Sequence, residues 1–281
     1  MNGEHICLID VGARNGIDAR WNQYWSMLDV IAFEPEPTEC ARLNAQIHPY
    51  SIRYLPNALG AVDAERATLY LCRSPACSSL LKPNLALCNQ FPYGHAMAVV
   101  SEVPVTLSRM DTVVDVQPDI IKVDTQGTEI DVLRGAGHLL DRTMVVELEV
   151  EFVAQYENQP LFADVDSFMR ANGFTLRGLR RTYWRNKAAS YSHSSGGQLM
   201  HGDALYIRYG AIDNPKGHLI LAAYKQYDLL CYLGATDLVP KPNKTFQLLG
   251  KVLGKPNREL RRFVDSLRSS NASDWHDPDF F

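Results

Sequence analysis

Apolar and polar positions change places along the chain in short blocks. Ile6-Cys7-Leu8-Ile9 is an apolar run closed by Asp10-Val11-Gly12-Ala13-Arg14-Asn15-Gly16, and residues 18–28 then follow helical spacing. That order is strand, glycine turn, helix. Residues 30–33 form a second apolar run, stopped by Glu34-Pro35-Glu36-Pro37, after which Thr38 is placed to cap a helix carrying Cys40, Ala41, Leu43 and Ile47. Residues 52–55 read as a third strand leading into Asn57-Ala58-Leu59-Gly60, and the alternation across 67–71 reads as a strand nearer the surface. The stretch 74–102, with Phe91-Pro92-Tyr93-Gly94, is loop-like and long enough to be a lid.

Residues 103–107 contain Pro104 and so predict an edge strand. Residues 120–123 predict a core strand ending at Asp124, residues 129–140 a helix, 144–148 a strand, 165–170 a helix closed near Gly173, and 204–208 a last strand. Repeated βα alternation implies an α/β fold with a doubly wound, mostly parallel sheet and ligands at the carboxyl ends of its strands. Beyond residue 214 only helices are expected, at 218–233, 246–253 and 259–267. The division predicted is a ligand-binding domain over 1–212 and a helical extension over 213–281, the latter a candidate surface for a homo-oligomer.

The composition narrows the class. At 281 residues, 46% hydrophobic and 21% charged, the chain has ample material for a core and none of the bias of disordered or fibrous proteins. No apolar run approaches the ~20 residues of a membrane span, and residues 1–5 lack the basic patch and apolar stretch of a signal peptide, so a cytoplasmic location is expected. Six cysteines without a Cys-x-x-Cys pair suit reduced thiols. A net charge of -4 argues against a nucleic-acid coat. Residues 241–268 nevertheless hold eight Lys or Arg against two acids, a pattern that fits a solvated helix face or a contact with an anionic surface.

The first two turns carry the chemistry. Asp10-x-Gly12-x-x-x-Gly16 lets a ligand approach the backbone, yet it is not G-x-G-x-x-G, and an acid at the strand tip would repel a pyrophosphate. Glu34 ends the second strand 22 residues after Gly12, where a carboxylate can accept from both hydroxyls of a ribose, with Pro35 holding the backbone extended. An adenosine bearing positive charge at its far end fits both turns, and S-adenosylmethionine is such a molecule.

Several segments in order, Ile9-Asp10-Val11-Gly12-Ala13-Arg14-Asn15-Gly16, Phe33-Glu34-Pro35-Glu36-Pro37, Asn57-Ala58-Leu59-Gly60, Ser78-Ser79-Leu80, Arg109-Met110-Asp111-Thr112, Ile121-Lys122-Val123-Asp124-Thr125-Gln126-Gly127-Thr128-Glu129 and Val132-Leu133-Arg134-Gly135-Ala136, resemble the FkbM family of S-adenosylmethionine-dependent methyltransferases. The resemblance covers about residues 5–210. It implies a class I methyltransferase (Rossmann-like) fold and methyl transfer to a hydroxyl of a sugar, glycan or polyketide-type product. Carried over by position, Asp10, Gly12 and Gly16 line the methionine end of the cofactor and Glu34 holds the ribose, with Arg14, Asn15 and Pro35 as further cofactor-binding residues. Asn57, Ala58 and Leu59 flank the adenine, and Asp124, Gln126 and Glu129 face the reacting end. Two positions depart from the pattern: Arg14 stands where many relatives have Asn, and Gln126 where many have Glu.

An acceptor hydroxyl needs its proton removed by a carboxylate or histidine at a strand's carboxyl end. Asp124, Glu147 and Glu129 are the candidate catalytic acids, each with an alternative reading as a carboxylate that holds a loop. His95, His193 and His201 fall in loop-like stretches and are further candidates for the base. Asp124 with Glu147 and Glu149 has no recognised metal-ligand spacing, and no metal is expected. Arg177, Arg180, Arg181, Arg185 and Lys187 surround Tyr183 and Trp184, a combination that can hold an anionic group while rings stack on a sugar. The competing readings are a nucleic-acid methyltransferase, which lacks here an Asn-Pro-Pro-Tyr-like or Asp-Pro-Pro-Tyr-like run, and a non-catalytic cofactor-binding scaffold. Nicotinamide oxidoreduction ranks last because of the first turn.

Overall fold

A computed structural model describes residues 5–189 and 196–241. Contacts divide the chain into two compact units, Met1–Ile212 and Asp213–Phe281. In the first unit β1 (Ile6–Val11) leads through the glycine turn to β2 (Leu28–Phe33), α1 (Pro37–Asn44), β3 (Ser51–Leu55) and the two-residue β4 (Ala58–Leu59). Then come β5 (Ala64–Cys72), α2 (Leu85–Cys88), β6 (Val99–Ser108), α3 (Met110–Val113), β7 (Ile120–Val123), α4 (Glu129–Ala136), β8 (Val145–Glu151) and α5 (Phe162–Ala171). β9 (Thr175–Trp184), β10 (Gln198–Ile207) and α6 (Tyr209–Ile212) complete it.

Seven strands form one sheet in the order β3-β2-β1-β7-β8-β10-β9. All pairs from β3 to β8 are parallel, and β10 and β9 are antiparallel additions. With its flanking helices this is a mostly parallel α/β sheet. The reason for the order lies in side-chain alternation. Ile9, Val11, Ile121, Val123, Val146, Leu148 and Val150 turn to one face and pack with Ile130, Val132 and Leu133 of α4 and Val165 and Met169 of α5. Strands buried this thoroughly need cover on both faces. The other face carries Asp10, Lys122 and Glu147, which occupy matching register positions across β1, β7 and β8.

Several expectations are corrected. Residues 18–28 are a 3-10 helix, Ala19–Met27, capped by the Asp18 side chain. Its three-residue turn stacks Trp21 on Tyr24, edge to face at 6.3 Å, a pairing at i and i+3 that suits the tighter helix. The helix expected over 129–140 stops at Ala136, because Gly137 (φ 50°) leaves the helical region and a 3-10 turn, Gly137–Arg142, follows. Residues 103–107 are not an edge strand: β6 lies between β4 and β5 in a second, three-stranded sheet. β4 pairs with β6 only at Leu107 and Ser108, so one flank of β6 is unpaired alongside Pro104, where a missing N–H costs no ladder bond. The stretch 74–102 is folded rather than loop-like, with Cys88 and Met97 buried against Tyr156. The arginine-rich residues 177–184 belong to β9, and His201, expected in a loop-like stretch, lies within β10.

In the second unit, α7 (Pro215–Ala223) and α8 (Tyr227–Tyr232) replace the single helix expected over 218–233; Lys225 in the left-handed region (φ 56°) breaks it. The helices expected at 246–253 and 259–267 and the basic stretch 242–268 lie outside the described residues, as does His193. Among the described residues no helix is long and apolar enough to cross a membrane.

Gly135 of α4 packs so closely on the segment after β4 that an added Cβ would collide with the carbonyl oxygen of Gly60. Alanine is the better helix former by about 1 kcal/mol, but a forced shift of packed backbone costs about 1–3 kcal/mol. Gly135→Ala is therefore expected to destabilise the protein, read as a lower urea midpoint with an unchanged slope.

Candidate active site

Three strand ends meet at the glycine turn. Gly12 (φ 87°) has no room for a side chain, since a Cβ there would collide with the carbonyl oxygen of Asp124. The amides of Gly12 and Ala13 donate to the Phe33 carbonyl at 3.0 and 3.1 Å, and the Asp124 amide donates to the Val11 carbonyl at 2.9 Å. Backbone contacts thus lock the ends of β1, β2 and β7 into one rim.

Glu34 follows β2 directly and is almost fully buried. Its Oε1 accepts from the Glu36 amide at 2.9 Å, and Arg14 stands 3.7 Å away. Burial raises the carboxyl's pKa, and the Glu36 amide and Arg14 oppose that rise. Oε2 takes no hydrogen bond among the described residues, which leaves it available to a donor from a ligand.

A cavity open to solvent lies over this rim. Gly12, Arg14, Asn15, Glu34, Pro35, Asn57, Ala58, Leu59, Asp124 and Gln126 all line it, so the structure brings these sequence-predicted residues together. Asp10 and Gly16 are not among the lining residues. Leu69 and Leu71 of β5 and the segment 75–80 form the opposite wall. Sequence reasoning missed most of that wall, although Ser78-Ser79-Leu80 had already stood out as a motif.

Gln126 links the cavity to the far side of the sheet. Its backbone sits at φ 60°, unusual for a side-chain-bearing residue. Its Nε2 donates to Asp124 Oδ1 at 2.9 Å and also to Glu149 Oε2; Tyr156 Oη lies 2.9 Å from its Oε1, and Ser79 Oγ donates to its carbonyl at 2.8 Å. Glu149 Oε1 is 2.9 Å from His201 Nδ1. Burial, with Asp124 next, raises the Glu149 pKa well above the carboxylate range, and burial lowers that of His201. The amide at position 126 gives each flanking carboxyl group a donated hydrogen bond, which a carboxylate in its place would not.

Comparison with known proteins agrees with this architecture. A family model, the methyltransferase FkbM domain, matches residues 10–176. The chain belongs to the methyltransferase FkbM family. Similar folds include the FkbM methyltransferase of Methylobacillus flagellatus KT, at 13% identity and TM-score 0.42, over 74% of this chain and 44% of that one. This chain therefore spans less than half of that relative's length. Others are the magnesium protoporphyrin IX methyltransferase of Synechocystis PCC 6803 with bound SAM (11% identity, TM-score 0.37, 74% of this chain and 72% of that one) and a TehB-like SAM-dependent methyltransferase of Corynebacterium glutamicum ATCC 13032 Kitasato (9%, 0.35, 74% and 82%). No curated protein matches the chain.

Within this FkbM chain the remaining acids have other partners. Asp10 points away from the cavity, on the face opposite Ile9 and Val11, where Lys122 Nζ holds it at 3.1 Å. The electrostatic preference for a cationic ligand therefore cannot rest on Asp10, whose charge Lys122 already meets. Glu147 is gripped by Arg20 at 3.1 and 3.4 Å, with Arg180 3.6 Å away. Glu129 accepts from the Thr125 amide at 2.9 Å, the Gly127 amide at 3.0 Å and Thr125 Oγ1 at 3.1 Å, bracing the 124–128 turn. Burial pushes its carboxyl up to about 7 against the pull of those amides. Neither Glu129 nor Glu147 lines the cavity, whereas Asp124 does. Among the described residues no group of three His, Cys, Asp or Glu is arranged to hold a metal ion.

The bridge generates a prediction with a sign. Gln126→Glu removes two donated hydrogen bonds and sets a third acid against Asp124 and Glu149. Hydrogen bonds to charged groups contribute about 1.5–3 kcal/mol each, so a loss of about 2 kcal/mol or more is expected at pH 8. The new carboxyl's folded pKa is raised, so the penalty shrinks as pH falls toward the unfolded value near ~4.3. Urea midpoints of the two proteins at pH 8 and pH 5 check this; an equal gap at both would contradict it.

Proposed function

We propose that this FkbM chain transfers a methyl group from S-adenosylmethionine to a hydroxyl of a sugar, a glycan, or a glycosylated or polyketide-type product. The observation that carries this is the meeting of Gly12, Glu34 and Asp124 in one open cavity at the carboxyl ends of three neighbouring parallel strands. Glu34 holds the ribose hydroxyls through Oε2, in a segment that Pro35 keeps extended. Asn57, Ala58 and Leu59 flank the adenine, with Leu69 and Leu71 supplying apolar cover from β5. Gly12, Arg14 and Asn15 lie along the methionine end, where the missing Cβ of Gly12 permits backbone approach. Asp124, steadied by Gln126, stands at the reacting end.

When bound, S-adenosylmethionine supplies an already electrophilic methyl group on its sulfonium. The protein's task is to align an acceptor oxygen behind it and exclude water, and orientation of that kind lowers a barrier by up to about 7–11 kcal/mol. Residues 1–212 make up this catalytic domain, and residues 213–281 are an appended segment available for self-association. The reaction uses a small molecule or glycan as acceptor and no metal.

Glu34→Ala is expected to weaken S-adenosylmethionine binding at least about tenfold, equivalent to about 1.4 kcal/mol, while the unfolding midpoint stays near that of the unaltered protein. Titration calorimetry reads both this and the selectivity. An unchanged dissociation constant removes the ribose assignment, and binding of NAD in place of S-adenosylmethionine overturns the function.

A further inference from the structure

The cavity accounts for the cofactor but not for a cluster beyond Gln126. There Glu149 Oε1 meets His201 Nδ1 at 2.9 Å. The His201 side chain is 26% exposed, and its Nε2 makes no hydrogen bond among the described residues. Trp184 packs edge to face on the imidazole at 6.2 Å, and Phe91 and Tyr93 each pack on Trp184 at 5.8 Å. Tyr93 is 63% exposed, so this aromatic wall is open on one side. The elements explain the placement. β10 runs antiparallel to β8, with His201 in register with Glu151, which brings the start of β10 beside the carboxyl end of β8. The histidine therefore sits at the same edge of the sheet as Asp124 and Gln126.

We propose that His201 is the general base that takes the proton of the acceptor hydroxyl, with Glu149 orienting its ring through Nδ1 and the Phe91, Tyr93 and Trp184 rings forming the wall along which the acceptor lies. This inference rests on the reading that a hydroxyl is methylated. Of the three candidate acids, Glu129 and Glu147 are occupied by the turn and by Arg20, and Asp124 receives the Gln126 amide. His201 has a ring nitrogen, Nε2, that makes no hydrogen bond among the described residues, and burial favours its neutral form. An Nδ1–H donated to Glu149 leaves the lone pair on Nε2. As the acceptor O–H proton passes to Nε2, the oxygen's electron pair forms the bond to the methyl carbon, and the pair of the broken carbon–sulfur bond stays on sulfur. The imidazolium that forms faces the Glu149 carboxyl group, which Gln126 keeps in place while joining it to Asp124. Glu149 is a positioning residue.

The test needs no acceptor. Long-range proton–nitrogen NMR of ¹⁵N-histidine-labelled protein loaded with S-adenosylhomocysteine, with His201 assigned through His201→Gln, is expected to show Nδ1 protonated and Nε2 bare at pH 7.5. Diethyl pyrocarbonate, which reacts only at an accessible unprotonated imidazole nitrogen, is expected to label His201. Glu149→Ala is expected to shift the tautomer toward Nε2–H. A protonated Nε2 in the unaltered protein, or a His201 left unlabelled while the exposed His5 reacts, overturns the proposal. Calorimetry with S-adenosylmethionine on the same preparations separates the two readings. Failure of the unaltered protein to bind it removes the proposed function, whereas normal binding with the wrong tautomer removes only the base.

Discussion

The contact on which the site depends is the approach of Gly12 to the backbone of Asp124. It is a contact that only a residue without Cβ permits, and it fixes how far apart the ends of β1 and β7 can be. The paired amides of Gly12 and Ala13 on the Phe33 carbonyl extend the same constraint to β2, whose next residue is Glu34. Glu34 and Asp124, the two carboxyl groups proposed for the ribose and the reacting end, are therefore held by main chain rather than by side-chain packing. Main-chain hydrogen bonds leave little freedom for those groups to drift, which is what a methyl transfer governed by alignment demands.

A second principle separates the two faces of the sheet. On the core face the strands present Val, Ile and Leu to α4 and α5. On the other, Asp10, Lys122, Glu147, Arg20 and Asp18 form ion pairs close to the ligand rim. Charges this buried cost several kcal/mol each unless paired. The pairing binds the 3-10 segment Ala19–Met27 to β8 through Arg20 and so shapes the start of the chain after the glycine turn.

Much of this was legible in the sequence. The glycine turn, Glu34, Asn57 to Leu59 and the 124–126 segment each follow an apolar run, and in a parallel sheet the residue after such a run falls at the rim. What the pattern could not convey was direction within the strand. Asp10 lies one residue before the strand's end, and the two-residue alternation turns it to the other face, toward Lys122. β9 was hidden because Arg177, Arg180 and Arg181 interrupt the alternation that marks a strand. Pro104 suggested an edge, but the brevity of β4 accommodates it within a central strand. The link from Gln126 through Glu149 to His201 joins residues 52 or more positions apart from the histidine, beyond the reach of any local pattern.

The arginines of β9 have a consequence for how the sheet ends. β9 is the last of its seven strands. Arg180 reaches back to Asp203 of β10 at 2.9 Å and to Glu147 of β8 at 3.6 Å, so a residue that blurred the strand's signature also rivets the margin of the sheet to the strands inside it.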